Sequence, residues 1–296
     1  MNFSLPHATR RLGKSLLETV LPVAERITGF QTAPGEYLPY RLKMLTGRYE
    51  ATEIALMRRF LRARDVIIDV GANVGYLTRF FAQAVGPLGK VYAFEPNPLI
   101  FPLLRRNVAK FRQVAVFDVG LSTNETEMPL FIPGSNHAVA SFVREYPATH
   151  VFDGKSGQLH SVAAKLVRGD EFMAKIDIDN SGPPRADRER RIDILKVDVE
   201  GWELNVLAGL EETIMSSKKI IIFCEYNPSA QECAGRTPRE LLNWFLDRQF
   251  ALSYPRNGEL HALPPAMIDQ FAETLGPQGY TTIFAQGAGA GLPSGR

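Results

Sequence analysis

The sequence lacks the features that would assign it to several common classes of protein. Only 2 of its 296 residues are cysteines, Cys224 and Cys233, and their spacing suits neither a disulfide framework nor a metal site. The formal net charge is only +2, and the one basic cluster, residues 185–191, is interleaved with acids. Such a cluster is typical of a solvated loop and not of a nucleic-acid surface. We therefore expect a globular protein in a reducing, cytoplasmic setting, with no nucleic-acid partner.

A long apolar run is also missing, so we expect no membrane span. The apolar stretch over residues 16–23 is interrupted by Glu18, well short of the ~18 apolar residues of a spanning helix. Apolar residues recur there at helical spacing instead. Residues 1–46 are thus predicted to be an N-terminal helical cap or a dimerisation segment, through which the chain could form a homodimer. Residues 287–296 are mostly glycine, alanine, proline and serine, and they are predicted to be a disordered tail.

Two segments predict buried strands whose ends carry polar groups. Residues 66–70 are apolar apart from Asp69, and a turn with Gly71 and Gly75 follows before apolar residues resume at helical spacing. Residues 91–94 form a second apolar run, and Glu95 follows it. Glycines let the backbone approach a ligand, and the amides at a helix start are free to face it. Because a carboxylate after the second strand can accept hydrogen bonds from both ribose hydroxyls, the pattern predicts a nucleoside-containing ligand.

The composition of the glycine turn separates two classes of cofactor. A dinucleotide turn has the pattern G-x-G-x-x-G, in which the pyrophosphate lies against the helix amides. Here Asp69 precedes the turn, and Asn73 stands where the middle glycine would be. An acid in front of the turn repels a pyrophosphate but suits a cationic amino-acid group.

Three motifs occur in order along the chain: DVGANVG at 69–75, FEPNP at 94–98 and LKVDVEG at 195–201. Together they resemble the FkbM family of O-methyltransferases, from about Gly47 to about Pro228. The resemblance implies a class I methyltransferase that transfers a methyl group from S-adenosylmethionine to a hydroxyl of a sugar, a glycan or a polyketide-type small molecule. Gly71 is expected to lie where a side chain would collide with the cofactor. The cofactor-binding residues implied by the resemblance are Asp69, Gly71, Ala72, Asn73, Gly75, Tyr76, Glu95, Asn97, Asp118 and Asp198.

The alternation of strand and helix patterns predicts an α/β fold with a mostly parallel sheet and helices on both faces. We assign residues 47–286 to this Rossmann-like domain. Residues 121–168 are predicted to be an inserted hairpin and loop over the mouth of the sheet, and residues 177–190 a surface loop. The second helix is predicted to begin at Asn97, with a late start or a kink caused by Pro102. The seven predicted strands are 66–70, 91–94, 114–117, 192–197, 220–224, 249–254 and 280–285.

Candidate catalytic residues lie where strands end. Asp198 is expected to point at the methionine end of the cofactor, although it could instead cap the helix predicted over residues 203–214. Asp198, Glu225 and His137 are the candidates to receive the proton of the acceptor hydroxyl. Asp118 is expected at the adenine ring or, alternatively, as a turn cap. The carboxylates could also hold a divalent cation, but no ligand spacing requires one, so no metal ligand is assigned.

Two other functions remain compatible with this sequence. The same fold is used by nucleic-acid and protein methyltransferases, although residues 225–228, Glu-Tyr-Asn-Pro, are not the Asn/Asp-Pro-Pro-aromatic signature of amino-methylating enzymes. A non-catalytic module that retains cofactor binding is the third alternative. The motifs do not identify the acceptor.

Overall fold

The computed structural model describes residues 20–134, 136–148, 159–176, 192–276 and 279–287. The predictions for the first nineteen residues, the basic cluster, the loop over 177–190 and the tail from 288 onward lie outside these ranges. The strands are β1 (Val66–Val70), β2 (Lys90–Phe94), β3 (Val114–Phe117), β4 (Gly120–Ser122), β5 (Thr126–Pro133), β6 (Leu159–Arg168), β7 (Ile194–Val197), β8 (Ile221–Tyr226), β9 (Ala251–Arg256), β10 (Glu259–Ala262) and β11 (Thr281–Gln286). The helices are α1 (residues 20–28), α2 (Leu38–Leu45), α3 (Ala51–Arg58), α4 (Tyr76–Val85), α5 (Phe101–Val108), α6 (Glu145–Ala148), α7 (Gly169–Lys175), α8 (Glu203–Gly209), α9 (Glu211–Ser216), α10 (Pro228–Cys233), α11 (Pro238–Asp247) and α12 (Ile268–Leu275), with 3-10 turns η1 (His137–Val139) and η2 (Pro265–Met267).

The main sheet has eight strands in the order β10-β9-β11-β8-β7-β1-β2-β3. The run from β8 to β3 is parallel, whereas β11, β9 and β10 join by antiparallel pairing. All seven predicted strands are present, but the predicted number was one too low. The additional strand is β10, which forms a hairpin with β9 through Asn257 and Gly258. Both residues have the positive φ, 54° and 80°, that a tight hairpin turn requires.

Helices cover both faces of the sheet, and this explains why its central strands are apolar throughout. On β1, Ile67 packs with Leu56 of α3 and Phe81 of α4 on one face. The neighbouring Ile68 packs with Leu207 of α8 on the opposite face, in a cluster that includes helix α11. Because alternate side chains point to opposite faces, a strand buried on both sides leaves only its carboxyl end for polar chemistry.

The helix after β2 begins later than the motif suggested. Helix α5 starts at Phe101, with Pro102 in its first turn, where a missing amide costs nothing because those amides have no partner within the helix. The side chain of Asn97 still organises the entry, since its Oδ1 accepts from the amide of Leu99 at 3.0 Å. The single helix predicted over residues 203–214 is instead two helices, α8 and α9, that meet at Leu210.

The predicted insertion is a small sheet with the strand order β4-β6-β5. Strands β5 and β6 pair antiparallel from Thr126 with Leu166 to Pro133 with Leu159, and β4 pairs with β6 in parallel. The hairpin expected there is present, with one further strand. Turn η1 and helix α6 lie between β5 and β6 and bring this layer to the mouth of the main sheet.

The segment before β1 packs against the glycine turn and helix α5. The backbone N–H of Gln31 donates to Oδ1 of Asn107 at 2.7 Å, and the Asn107 amide donates back to the Gln31 carbonyl and to that of Val74. The guanidinium of Arg79 donates to the Gly29 carbonyl at 2.8 Å. These contacts hold the segment between α1 and α2 beside the glycine turn. Within the described ranges, no helix is long and apolar enough to cross a membrane.

Candidate functional site

A cleft of about 820 Å³ lies at the carboxyl ends of the central strands, the place where open α/β sheets bind ligands. Its floor is formed by residues at the carboxyl ends of β1, β2, β7 and β8 and directly after them. Its walls come from α2, from residues 49–53, from the inserted sheet and from Tyr280. The floor residues are Gly71, Ala72, Asn73, Glu95, Lys196, Asp198, Glu200 and Glu225.

The glycine turn is shaped by contact between two strands. Gly71 has a φ of 78°, and a Cβ at this residue would lie 1.8 Å from the backbone carbonyl oxygen of Asp198. The expectation that a side chain here would meet the cofactor needs correction, because it would first meet the backbone after β7. The turn continues through Asn73, with φ 48°, to Gly75, with φ 84°. Gly71 is therefore required by the packing of β1 beside β7.

Glu95 is fixed by the backbone of the turn it faces. Its Oε2 accepts from the amide of Asn73 at 2.8 Å, and its Oε1 accepts from the amide of Asn97 at 2.9 Å. Burial raises the pKa of Glu95 to about 7, although both amides act to lower it. Each oxygen has a further lone pair, so a carboxylate held in this way can still accept from a pair of ribose hydroxyls.

Asp69 does not reach the cleft. Its side chain is fully buried; Oδ2 accepts from the Thr78 hydroxyl at 2.6 Å, and Oδ1 lies 3.5 Å from Nζ of Lys196. The direct contact with a cationic ligand expected for Asp69 is therefore replaced by a contact with a lysine of the protein. Lys196, which the sequence did not single out, also lies 3.4 Å from Oδ2 of Asp198 and donates to the Gly71 carbonyl at 2.8 Å.

The other sequence-predicted cofactor residues divide into two groups. Ala72, Asn73 and Tyr76 line the cleft together with Gly71, Glu95 and Asp198. Gly75 and Asn97 support the turn from behind and are not among the described residues that line the cleft. Asp118, after β3, is exposed and also outside that lining. The adenine contact for Asp118 stays a prediction that the geometry does not support.

Three carboxylates converge on the acceptor side of the cleft. Asp198, Glu200 and Glu225 each place an oxygen within 4.8 Å of the others, close enough to hold a metal ion. Burial, followed by the neighbouring carboxylates, raises the pKa of Glu200 and of Glu225 well above the usual range. Among the described residues, Oε2 of Glu200 and Oε2 of Glu225 are buried without a hydrogen-bond partner. A proton or a hydroxyl donor would satisfy them.

A group of tyrosines forms part of the wall of the cleft. The ring of Tyr49 meets that of Tyr76 edge to face at 5.4 Å, and Tyr40 lies 6.0 Å from Tyr49. Tyr280, before β11, also lines the cleft. Next to Tyr49, burial raises the pKa of Glu50 to about 7. These residues come from distant segments without a local motif, so only the fold brings them together.

His137 lies at the edge of the cleft on turn η1. Its amide donates to Oε2 of Glu36 at 3.1 Å, and its Nδ1 is 3.3 Å from Nδ2 of Asn97. Burial lowers the pKa of His137, with a smaller effect of His160. A neutral imidazole could accept a proton, but the ring nitrogen nearest the motif already pairs with Asn97.

The parallel strands β3-β2-β1-β7-β8 with antiparallel β11, the glycine turn and the carboxylate after β2 define a class I methyltransferase fold, which binds S-adenosylmethionine. Residues 69–252 match the family model of the methyltransferase FkbM domain. The chain therefore belongs to the FkbM methyltransferase family, as the three sequence motifs predicted, and its matched domain is that of an S-adenosylmethionine-dependent enzyme.

Curated relatives are identical to this chain at between a quarter and a third of the aligned positions. It is 29% identical to the AMB antimetabolite synthetase AmbE of Pseudomonas aeruginosa over 75% of the chain and 11% of AmbE. It is 30% identical to the 31-O-demethyl-FK506 methyltransferase FkbM of Streptomyces tacrolimicus over 51% of the chain and 62% of that protein. It is 28% identical to the hexuronic acid methyltransferase AglP of Haloferax volcanii over 62% of the chain and 64% of AglP. The chain thus spans less than two thirds of each of these relatives.

Proposed function

We propose that the protein transfers a methyl group from S-adenosylmethionine to a hydroxyl of a sugar, a glycan or a polyketide-type small molecule. The observation that carries the proposal is the placement of Glu95, Asp198 and Glu225 at the ends of β2, β7 and β8 around one cleft. The relatives named for FK506 and for hexuronic acid support an oxygen-bearing acceptor.

The cleft fits the two ends of the cofactor. Glu95, with one amide on each oxygen, is suited to a ribose, and Asp198 is suited to the cationic methionine portion. Ala72 and Asn73 form the floor between them, and Tyr76 lines the wall. When bound, the cofactor supplies a methyl group on a good leaving group, so the protein mainly has to orient the attacking oxygen in line with it.

Glu225 is the residue we assign to the proton of the acceptor hydroxyl. Its Oε2 is buried without a hydrogen-bond partner among the described residues. Glu225 is also one of the three carboxylates that converge at the cleft. A carboxylate with a raised pKa is a stronger base once it has lost its proton. Asp198 is a weaker candidate for this role because Lys196 already pairs with it. His137, at the edge of the cleft, is the remaining candidate.

The lining of the cleft lacks the excess of cations with which a nucleic-acid site holds its ligand. Among the described residues it contains six carboxyl groups and only two lysines, so it does not match a phosphodiester backbone. The tyrosine wall offers ring faces and hydroxyl groups on which a sugar or another cyclic acceptor can lie. The acidic residues are Glu50, Glu53, Glu95, Asp198, Glu200 and Glu225, and the basic ones are Lys43 and Lys196.

Incubation with S-adenosylmethionine labelled in the methyl group tests this proposal. Label should enter a small-molecule and glycan extract and not an RNA or a protein extract, and the Glu225→Gln variant should lose the transfer. Label in RNA or protein would favour the other methyltransferase classes. No transfer into any extract, with the cofactor still bound, would indicate a non-catalytic module.

A further inference from the structure

Lys196 is a buried cation placed between two neighbouring strands. It lies on β7, is only 4% exposed, and pairs in register with Asp69 of β1. Its ammonium donates to the carbonyl of Gly71 at 2.8 Å and approaches that of Val70 at 3.4 Å. It also lies 3.5 Å from Oδ1 of Asp69 and 3.4 Å from Oδ2 of Asp198. One side chain therefore contacts the glycine turn, a buried acid and an acid of the cleft.

Such a lysine is costly unless its partners compensate, and an apolar residue would fill the same space with less desolvation. Asp69 alone could compensate one charge, and it is fully buried with a second partner in Thr78. Asp198 is different, because its side chain is 33% exposed and lines the cleft. The ion pair with Asp69 would be enough for a structural role, so the additional contact with Asp198 connects Lys196 to the cleft.

We propose that Lys196 is a positioning residue for methyl transfer, which holds the glycine turn by its carbonyls and fixes the carboxylate of Asp198 toward the methionine end of the cofactor. This role rests on the proposed function. Without Lys196, Asp198 would face Glu50, Glu200 and Glu225 with no cation between them. Repulsion would then turn Asp198 away from the methionine end, whereas the amides of Gly71 and Ala72, which both donate to the Phe94 carbonyl at 3.0 Å, would still hold the turn beside β2 and Glu95.

The role predicts a difference between two ligands. Lys196→Met should weaken binding of S-adenosylhomocysteine by about tenfold or more, the expected loss for removing charge-assisted hydrogen bonds. Adenosine, which lacks the amino-acid portion, should bind to the same variant within about threefold of the parent protein, because Glu95 keeps both of its amides. Calorimetry with both ligands measures the difference.

The double variant Asp69→Asn/Lys196→Met separates positioning from simple neutralisation. Removing both charges should restore much of the thermal stability lost in Lys196→Met, but S-adenosylhomocysteine affinity and turnover should stay low. If affinity and turnover both recover to within about threefold of the parent protein, the proposal is overturned, because Lys196 would then serve only to neutralise Asp69.

Asp69→Asn alone keeps Lys196 and its contacts to the cleft, so it provides a test even if the lysine variants fail to fold. S-adenosylhomocysteine affinity should remain within about threefold of the parent protein. A selective loss of that ligand in Asp69→Asn, or an equal loss of both ligands in Lys196→Met, would overturn the positioning role. If the parent protein binds neither ligand, the cofactor assignment falls and the proposal falls with it.

Discussion

Gly71 lies against Asp198 so closely that a Cβ on the glycine would be 1.8 Å from the aspartate carbonyl oxygen. The glycine turn after β1 and the residues directly after β7 are thus packed against each other. A substitution at Gly71 changes the position of Asp198 before it changes any contact with a ligand.

Gly71→Ala should lower the free energy of unfolding by more than about 2 kcal/mol, since it combines positive-φ strain with a backbone collision. Gly47 provides a matched control, because it has a φ of 70°, lies at the end of α2 and has nothing within 4 Å of its Cβ position. Gly47→Ala should cost only about 1 kcal/mol. Denaturant unfolding of both variants measures the difference, and equal costs would show that the collision at Gly71 is relieved.

Glu95→Ala should weaken cofactor binding by roughly 2 to 4 kcal/mol, because two charge-assisted hydrogen bonds to the ribose are lost. Glu53→Gln is the control, since Glu53 also lines the cleft but lies on α3. Calorimetry should show little change for the control, and a loss below about threefold for Glu95→Ala would contradict the ribose assignment.

Cofactor affinity should depend on pH through Glu95. Burial raises the pKa of this group to about 7, so it is ionised above that pH and protonated below it. The ionised form accepts from the ribose hydroxyls more strongly, and affinity should therefore fall as the pH falls through about 7. Titration of S-adenosylhomocysteine between pH 5.5 and 8.5, roughly 1.5 units on either side of a pKa near 7, should show this step in the parent protein and not in Glu95→Gln. A step of the same size in the variant would assign it to another group, such as Glu50.

Glu225→Gln should lower turnover by about 10²-fold or more while cofactor affinity stays within about a factor of two. Asp198→Asn should lower turnover strongly and also weaken cofactor binding modestly, because Asp198 lines the cleft where it could reach both the methionine portion and the acceptor. Steady-state kinetics combined with calorimetry separates the two patterns. Unchanged turnover in Glu225→Gln would assign the role of proton acceptor to Asp198 or His137 instead.

A chelator should leave turnover unchanged if the three carboxylates act without a metal. Loss of activity that added magnesium restores would instead identify Asp198, Glu200 and Glu225 as ligands, and Glu225 would no longer be assigned as the base. Calcium and zinc serve as comparison ions, because they differ from magnesium in the ligands and geometry they prefer.

The strands that build the floor could be predicted closely, and the reason is local. β1 and β3 match their predicted limits because apolar runs end at polar or glycine residues. β10 was missed, although Asn257 and Gly258 form a hairpin signal, because the strand after them is short and mostly exposed.

The site was predictable only where a motif lies within one segment. Glu95 could be placed because it directly follows a strand. Lys196 was missed because the role of a lysine inside a buried strand depends on its partners. Two of these, Asp69 and Gly71, lie at the end of β1 and directly after it, and Gly71 is 125 residues away in sequence. Tyr49 and Tyr280 line the same cleft only because of the fold. Asp118 was placed by strand order alone, which does not fix the direction of a side chain.

The central claim is methyl transfer from S-adenosylmethionine to an oxygen, and mass spectrometry with the trideuteromethyl form of the cofactor tests it most directly. The proposed function predicts a product that carries the deuterated methyl group on a hydroxyl oxygen, formed by the parent protein and lost in Glu225→Gln. A deuterated methyl group on nitrogen or carbon, or no methylated product although the cofactor binds, would contradict it.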